Sequence, residues 1–600
     1  MASDPRQAKL MRFFGQQQQQ QQGPASPIES GLSAGEAAAA AAVPVTSPRP
    51  SQEAAAPDAV LRPPQDYQPV ADACWEAGTP TPYLHVARAL AAVNSTSKRL
   101  VMTDILTNAF RSVLALAPAD LLAVTYLVLG KLGPDHEGLE MQVGGSTVSA
   151  AIAETTGASK ARLSELYVEL GDLGDVASSE LCMDPATSRS EPAVDDFQAQ
   201  ACRRNQRLLS QPRPLLARDV FASMRAMATE DKGQGSAARR RARVAAMLRA
   251  CREEETRFLV RTLICNLRVG AQWRGVLSAL GRAIRIHEAA PGGRLPDKAD
   301  LDAAGRALVD AYHLLPNLDE LLPLAMEHGI ARLPELAGLR PGTPVKPMLA
   351  RICEGIGSGV DMMRGRPFLA EFKYDGQRAQ VHVLDRSAGR AKVFSRNSED
   401  KTGMFPDLIE QVLAALDPAV ESAILDTEVV AVDRGSGDGD ERRLRSFQEL
   451  STRARGDTTA DNVSVNVCVF AFDLLLLNGR SLVREALASR RDLMTGQALT
   501  RLRPGFVEIA ESRALQQQQQ LEGEEEEGGG SGALEEDLTR LLMSSLAAGT
   551  EGLMLKDLTA AYEPSKRSDH WVKAGSSPCP PVKALCLSST CQTLPSRLPF

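Results

Sequence analysis

Aromatic residues are scarce in this chain: Phe, Trp and Tyr together make up 4% of its 600 positions. Its core must therefore rest mainly on Leu, Val and Ala. No apolar run approaches the roughly 18 residues of a membrane-spanning helix, and the dense stretch 121–130 is far too short, so no membrane association is expected. The amino terminus carries Asp4, Arg6, Lys9 and Arg12 and has no apolar segment of the secretory kind. Ten cysteines include no Cys-x-x-Cys pair, which argues for reduced thiols in an intracellular chain and against a zinc module. The seven histidines show no metal-ligand spacing. With 43% hydrophobic and 24% charged residues and a net charge of −7, collagen-like, mucin-like and wholly disordered classes are excluded.

Positive charge is in overall deficit yet locally concentrated. Residues 201–290 hold 19 Lys+Arg against 7 Asp+Glu, most of the cations being Arg. Arginine favours bidentate contact with phosphate over diffuse attraction. A short charge run usually reads as a solvated helix face. Persistence over some ninety residues of an acidic chain points instead to a polyanion-binding surface.

The chain divides by texture. Residues 1–65 contain a glutamine run (16–22), an alanine run (37–42) and scattered prolines, a composition expected to be disordered. Residues 66–340 read as an all-helical domain; in 97–116, Leu100, Ile105, Leu106, Phe110, Val113 and Leu114 recur at three- and four-residue spacing. Residues 341–573 change to short β-branched runs at 368–374, 379–384, 424–432, 465–477 and 506–510, the pattern of an α+β domain with antiparallel sheets. A Gln/Glu/Gly-rich insertion at 515–532 comes next, then a helix at 534–546 and a strand at 551–556. Residues 574–600 turn Ser/Pro/Cys-rich without periodicity. Gly355-x-Gly357-x-Gly359 lacks the βαβ setting of a dinucleotide loop and no clear helix is expected after it.

One lysine focuses the chemistry. Glu371-Phe372-Lys373-Tyr374-Asp375-Gly376-Gln377-Arg378 sets Lys373 between an apolar strand and an Asp-Gly turn. A lysine becomes a nucleophile when burial or neighbouring cations disfavour its ammonium form. Alone, the motif also fits a surface lysine beside a turn. The ordered series of motifs downstream is harder to dismiss: Ser395-Arg396-Asn397, Asp426-Thr427-Glu428, Phe472-Asp473, Glu551-Gly552-Leu553-Met554-Leu555-Lys556 and Trp571-Val572-Lys573. Each sets charged or aromatic side chains into apolar strands, a costly placement unless a site uses them.

This constellation resembles the covalent nucleotidyltransferase superfamily, specifically eukaryotic ATP-dependent DNA ligases of the DNA ligase I type. The resemblance extends to Cys74-Trp75, Pro82-Tyr83-Leu84, Arg257-Phe258, the stretch 267–270 and Lys346-Pro347-Met348-Leu349-Ala350. It implies that Lys373 attacks the α-phosphate of ATP to form a Lys–AMP phosphoramidate. It further implies that Glu371, Arg378 and Arg396 contact the nucleotide, that Phe472 stacks on the base, and that Lys556 and Lys573 lie on the α-phosphate. Glu428 and Glu551 match the carboxylates associated with Mg²⁺. The helical domain would grip nicked duplex DNA, with Arg261 and Arg268 as the local contacts expected. Lys556, Lys573 and Arg378 are the cations expected to lower the pKa of Lys373.

Gln7-Ala8-Lys9-Leu10-Met11-Arg12-Phe13-Phe14 is similar to the peptide that binds the sliding clamp PCNA: Leu10, Phe13 and Phe14 would fill an apolar pocket while Gln7 makes polar contacts. A nuclear monomer is the corresponding expectation. The family pattern Trp-x-Lys-x-Lys is met at Trp571 and Lys573, but Gly575 occupies the last position. The 27 residues after Lys573 are too few for the family's OB-fold domain, so that domain is expected to be missing and Lys–AMP formation to be weak. Two other readings stand beside the ligase: a clamp- and DNA-binding remnant without sealing activity, and a guanylyltransferase of the RNA-capping type, which also uses Lys-x-Asp-Gly.

Overall fold

The computed structural model describes residues 59–182, 212–293, 295–434, 443–453, 465–516 and 529–575. The amino-terminal tail with its clamp-like peptide, most of the 515–532 insertion and nearly all of the carboxy-terminal tail lie outside the described residues. The chain forms two compact units. The first comprises residues up to 134, 139–312 and 317–337; the second takes 135–138, 313–316 and everything from 338 onward.

The first unit is helical. Its central helix, Arg99–Leu116, buries Ile105, Leu106, Phe110, Val113 and Leu114 at the spacing read from the sequence. Leu100 departs from that expectation, standing 72% exposed in the first turn of the helix. The same helix anchors the entering chain. Asn108 Nδ2 donates to the carbonyls of Val60 (3.1 Å) and Arg62 (2.8 Å), and Arg111 donates to those of Pro64 (2.6 Å) and Tyr67 (3.2 Å). Helix Leu121–Leu129 stops at Gly130, whose φ of 65° is left-handed, a conformation glycine adopts without strain. Helices Trp273–Ala289 and Lys298–Leu314 approach through small residues. A Cβ on Gly281 would stand 2.6 Å from the carbonyl oxygen of Ala304, and one on Gly305 2.5 Å from Ser278 Oγ.

The second unit is built on two sheets. Its strands are β1 (Leu349–Ile352), β2 (Phe368–Phe372), β3 (Gln377–Asp385), β4 (Arg390–Ser395), β5 (Ala423–Asp433), β6 (Arg443–Leu444), β7 (Val467–Leu477), β8 (Arg480–Ser481), β9 (Val507–Ile509), β10 (Ser512–Leu515), β11 (Gly552–Asp557) and β12 (Arg567–Gly575). One sheet has the order β1-β12-β11-β2-β10; the other runs β4-β3-β5-β7-β8, with β6 beside β5 and β9 beside β7. Most pairs are antiparallel, but β1–β12 and β7–β9 are parallel. The sheets are therefore mixed, a correction to the wholly antiparallel expectation.

Strand periodicity separates the two cores and aims the polar residues. On β5, Leu425, Val429 and Ala431 enter one core with Ala379, Val381 and Val383 of β3. Ile424, Val430 and Val432 enter the other. Asp426 and Glu428 share the parity of this second set and so point to the same side of β5. On β7, Cys468, Phe470 and Phe472 belong to the same core as Ile424. In the five-stranded sheet, Phe368, Ala370, Phe372, Leu553 and Leu555 pack with Val360, Leu534 and Leu538. Glu371 and Lys556 take the opposite parity. Burying each large aliphatic or aromatic side chain contributes about 1.5–3 kcal/mol, so these cores hold the polar face in place.

The Gly355–Gly359 run itself forms a helix, Gly355–Met362, between β1 and β2, which are not neighbours in their sheet and so make no βαβ unit. Its glycine serves packing: a Cβ on Gly359 would stand 2.9 Å from Leu555 Cδ1 of β11.

Candidate active site

Lys373 comes directly after β2. Its amide donates to the Gly552 carbonyl and its carbonyl accepts from the Glu551 amide, both at 2.8 Å, so the backbone of Lys373 is tied to the start of β11. The glycine of the Lys-x-Asp-Gly motif has a steric cause. A Cβ on Gly376 would lie 2.4 Å from the Val429 carbonyl oxygen, so only glycine lets β3 leave the turn against β5.

The Lys373 ammonium contacts the Glu551 carboxylate, and its side chain keeps 28% of its exposure. Burial pushes its pKa below the usual lysine range. Glu428 and Asp375 pull the other way, while Lys573 adds to the depression. Arg378 and Lys556 are bound to the buried carboxylates Asp426 and Glu371. Glu428 lies on β5 opposite Arg378 of β3 and Phe470 of β7. Burial pushes its carboxyl up to about 8, against the opposing pull of Arg378, Lys373 and Arg396. Arg396 is exposed just beyond β4.

A second cluster adjoins this one. Phe472 and Trp571 meet edge to face, their ring centroids 6.1 Å apart. Lys556, buried on β11, holds its ammonium 4.2 Å from the Phe472 centroid and 4.7 Å from that of Trp571, and bonds Glu371. Lys556 thus belongs to the aromatic cluster. Arg378 stands 5.4 Å from the Phe472 centroid and 5.5 Å from that of Trp571. It grips Asp426 through Nε (3.0 Å) and Nη2 (2.7 Å) and donates Nη1 to the Met348 carbonyl at 2.8 Å. Burial opposes its charge, but Asp426 and Tyr562 hold its pKa above the ordinary arginine value. Lys573 faces Met554 and Ile352 on neighbouring strands, two residues from Trp571 and on the same side of β12.

Asp426 and Asp473 stand in motifs noted from sequence but were given no role there, and Tyr562, Arg490 and Arg491 were not singled out. Asp426 pairs with Arg378 and accepts from the Tyr562 hydroxyl at 2.8 Å. Arg490 and Asp473, both fully buried, form a bidentate pair at 2.7 and 2.8 Å. Arg491 bonds Glu371 at 2.7 Å. The Arg490-Arg491 dipeptide was the available clue, since arginines in an otherwise apolar setting need partners.

The basic window of the first unit looks different once folded. Arg239 and Arg243 pair with Asp231, Arg241 and Arg249 with Glu154, Arg282 with Asp104, and Arg285 with Asp300. Much of its local excess is thus balanced by acids, several of them outside the window. Arg261 is buried, its guanidinium bound to Asp172 (3.0 Å) and Asp175 (3.1 Å). That commits it to holding two helices together. Arg268 is exposed, pairs with Asp172 at 3.3 Å and takes a φ of 51°.

Glu428 and Glu551 are hard oxygen donors near Lys373. No group of three or more His, Cys, Asp or Glu able to hold a metal occurs among the described residues. A pair of carboxylates nonetheless suits Mg²⁺, which keeps waters and takes substrate phosphates as its remaining ligands. The residues present therefore fit that ion.

A partly buried lysine of lowered pKa lies beside carboxylates and adjoins an aromatic–carboxylate wall between two sheets, an arrangement with the makings of a nucleophilic amine. Residues 347–574 match the model of the ATP dependent DNA ligase domain, and residues 82–281 that of the DNA ligase N terminus. The chain belongs to the ATP-dependent DNA ligase family. It is 38% identical to DNA ligase 6 of Arabidopsis thaliana over 526 residues, covering 86% of this chain and 35% of that protein. It is 34% identical to DNA ligase 1 of the same plant, covering 85% of this chain and 59% of the relative. Against DNA ligase 1 of Drosophila melanogaster the identity is 34%, covering 84% of this chain and 62% of the relative. The chain thus spans between about a third and three fifths of the length of these relatives.

Proposed function

We propose that the second unit transfers AMP from ATP to Lys373 and that the chain uses this adenylate to seal nicks in duplex DNA. The observation that carries the reading is the lowered pKa of Lys373 by burial, at a position where Glu428, Glu551 and Lys573 converge. The ammonium gives up one proton, the Nζ lone pair attacks the α-phosphorus, and the bond to the bridging oxygen breaks to release pyrophosphate. Such transfer depends on in-line placement and on neutralised phosphate charge. Lys573 supplies cationic charge there, while Phe472 and Glu371 receive the base. Mg²⁺, held by Glu428 and Glu551, would draw charge from the triphosphate. AMP then passes to a 5′-phosphate, and the adjacent 3′-hydroxyl displaces it as the strand is joined.

The first unit binds the nicked duplex in this reading, with the exposed Arg268 a stronger contact than the buried Arg261. Gln7, Leu10, Phe13 and Phe14 engage the sliding clamp, and the protein acts in replication and repair as a nuclear monomer. Support for the clamp contact is the motif spacing alone. Pull-down by clamp should be lost on joint Phe13→Ala and Phe14→Ala substitution, and retention would remove that contact.

The decisive experiment incubates the full chain with α-labelled ATP and Mg²⁺ beside Lys373→Ala, followed by denaturing electrophoresis. Label on the wild type alone supports adenylation. Preferential labelling by GTP would move the reading to capping chemistry. No label from either nucleotide, with nicked-duplex binding intact, would favour a non-catalytic DNA-binding role.

A further inference from the structure

Arg491 lies in helix Leu487–Leu493 and reaches four points at once. Its Nη1 donates to Glu371 Oε2 at 2.7 Å and to the Phe472 carbonyl at 3.2 Å. Its Nη2 donates to the Ala510 carbonyl at 3.4 Å and to Ser512 Oγ at 3.0 Å. Glu371 and Ser512 stand opposite one another on β2 and β10 of the five-stranded sheet, whereas Phe472 belongs to β7 of the other. One guanidinium therefore ties the carboxylate of one sheet to the main chain beneath the aromatic ring of the other. The second oxygen of Glu371 is taken by Lys556, so both cations fix the carboxylate plane. Arginine suits the task because its planar fork presents several donors in fixed directions; lysine does not.

We propose that Arg491 is a positioning residue that locks Glu371 and Phe472 into one purine-reading wall and thereby favours ATP over GTP. This rests on the nucleotide-binding part of the function proposed above. The chemistry is set by donors and acceptors. A carboxylate flanked by two cations offers only acceptor lone pairs. Adenine carries an amino donor at the purine C6 position where guanine carries a carbonyl acceptor, so a fixed carboxylate edge beside the ring accepts from one and repels the other. A carboxylate free to rotate would lose that discrimination without losing the aromatic face.

The test is equilibrium binding of ATP and of GTP to the full chain by calorimetry, in a Lys373→Ala background so that no covalent step intervenes. Arg491→Met should weaken ATP by about tenfold and GTP much less, so that the preference collapses. Glu371→Gln should act in the same direction, and the double variant should be no worse than the more affected single one, because Arg491 acts through Glu371. Equal loss for both nucleotides, or losses that multiply in the double variant, would overturn the inference. So would a starting protein that does not prefer ATP. Should Arg491→Met fail to fold, Arg491→Lys is read by the same criterion. Its single ammonium cannot span Glu371, Phe472, Ala510 and Ser512, so the preference falls; an undiminished preference refutes the role. Covalent labelling is scored separately: its absence beside an intact ATP preference would sink the adenylation reading and leave this one standing.

Discussion

The buried pair Asp473–Arg490 is the sharpest place to test whether the site depends on the framework beneath it. Both side chains are fully buried, and Arg490 spends Nε and Nη2 on the two carboxylate oxygens. Its Nη1 serves the carbonyls of Glu485 at 2.6 Å and Ala560 at 3.2 Å. Asp473 Oδ1 also accepts from the Leu474 amide at 2.9 Å. Asp473→Asn leaves a buried guanidinium without its counter-charge, and removing one member of such a pair typically costs about 3–5 kcal/mol. Arg490→Met strands the carboxylate and two backbone acceptors, a loss of the same order. For a fold whose whole margin is about 5–15 kcal/mol, either change is severe.

The double variant separates a pair from two independent contributions. Removing both charges ends the unpaired-charge penalty, so Asp473→Asn with Arg490→Met should cost less than the two single changes together, by about 2 kcal/mol or more. Denaturant unfolding combined with hydrogen exchange on β7 would give all four corners of the cycle. Because Phe472 and Arg491 adjoin the pair in sequence, adenylate formation should fall in the single variants more than in the double. Single changes costing under about 1 kcal/mol, or a strictly additive double, would refute the argument.

Other positions give further outcomes. Gly376→Ala should destabilise the second unit and suppress adenylate labelling, since its Cβ would sit 2.4 Å from the Val429 carbonyl oxygen; a variant with wild-type melting would contradict this. Arg261→Ala should destabilise the first unit by about 3 kcal/mol, because buried Asp172 keeps only the exposed Arg268 as a partner, whereas Arg268→Ala should leave its melting nearly unchanged and lower the salt slope of nicked-duplex binding by about one. Burial holds His382 neutral, with its pKa pushed down to about 3, while Lys392 and His136 act in the same direction. The unfolded chain binds a proton near pH 6.5 and the folded one does not, so this contribution is complete above that pH and is lost as pH falls. By pH 5 the loss amounts to about 2 kcal/mol, and His382→Gln should flatten the stability profile between pH 6.5 and 5. Phe472→Ala should raise the KM for ATP about tenfold with a smaller change in kcat, as expected for lost base stacking.

Much of this architecture could be read from the sequence because strand and helix periods differ. The β7 run alternates between two cores from Val467 to Phe472, before shifts in its register against β5, and Phe472 sits on the parity that faces the site. Residues bonded through the backbone or separated widely in sequence were less legible. Arg491 gains its meaning only when β2, β7 and β10 converge, 120 positions separating it from Glu371. Parallel pairing of β1 with β12 joins strands more than two hundred residues apart, which no local pattern encodes. Charge counting overstated the unpaired cations for a related reason: a window sums residues along the chain, whereas Glu154, Asp172 and Asp104 balance some of its arginines from elsewhere.

The cations of the second unit divide into two sets, and the division bears on how a lysine becomes reactive. Lys556, Arg378 and Arg491 are each bound to a buried carboxylate, Glu371 or Asp426. A cation so neutralised adds little net field at Lys373. Burial supplies most of that depression, and Lys573 is the cation that adds to it. Lys573→Ala should therefore raise the apparent pKa for adenylate formation only modestly, whereas a change that opens Lys373 to water should raise it more. Measuring labelling against pH in the wild type and in Lys573→Ala tests this. A larger shift in Lys573→Ala would make charge, not desolvation, the dominant effect.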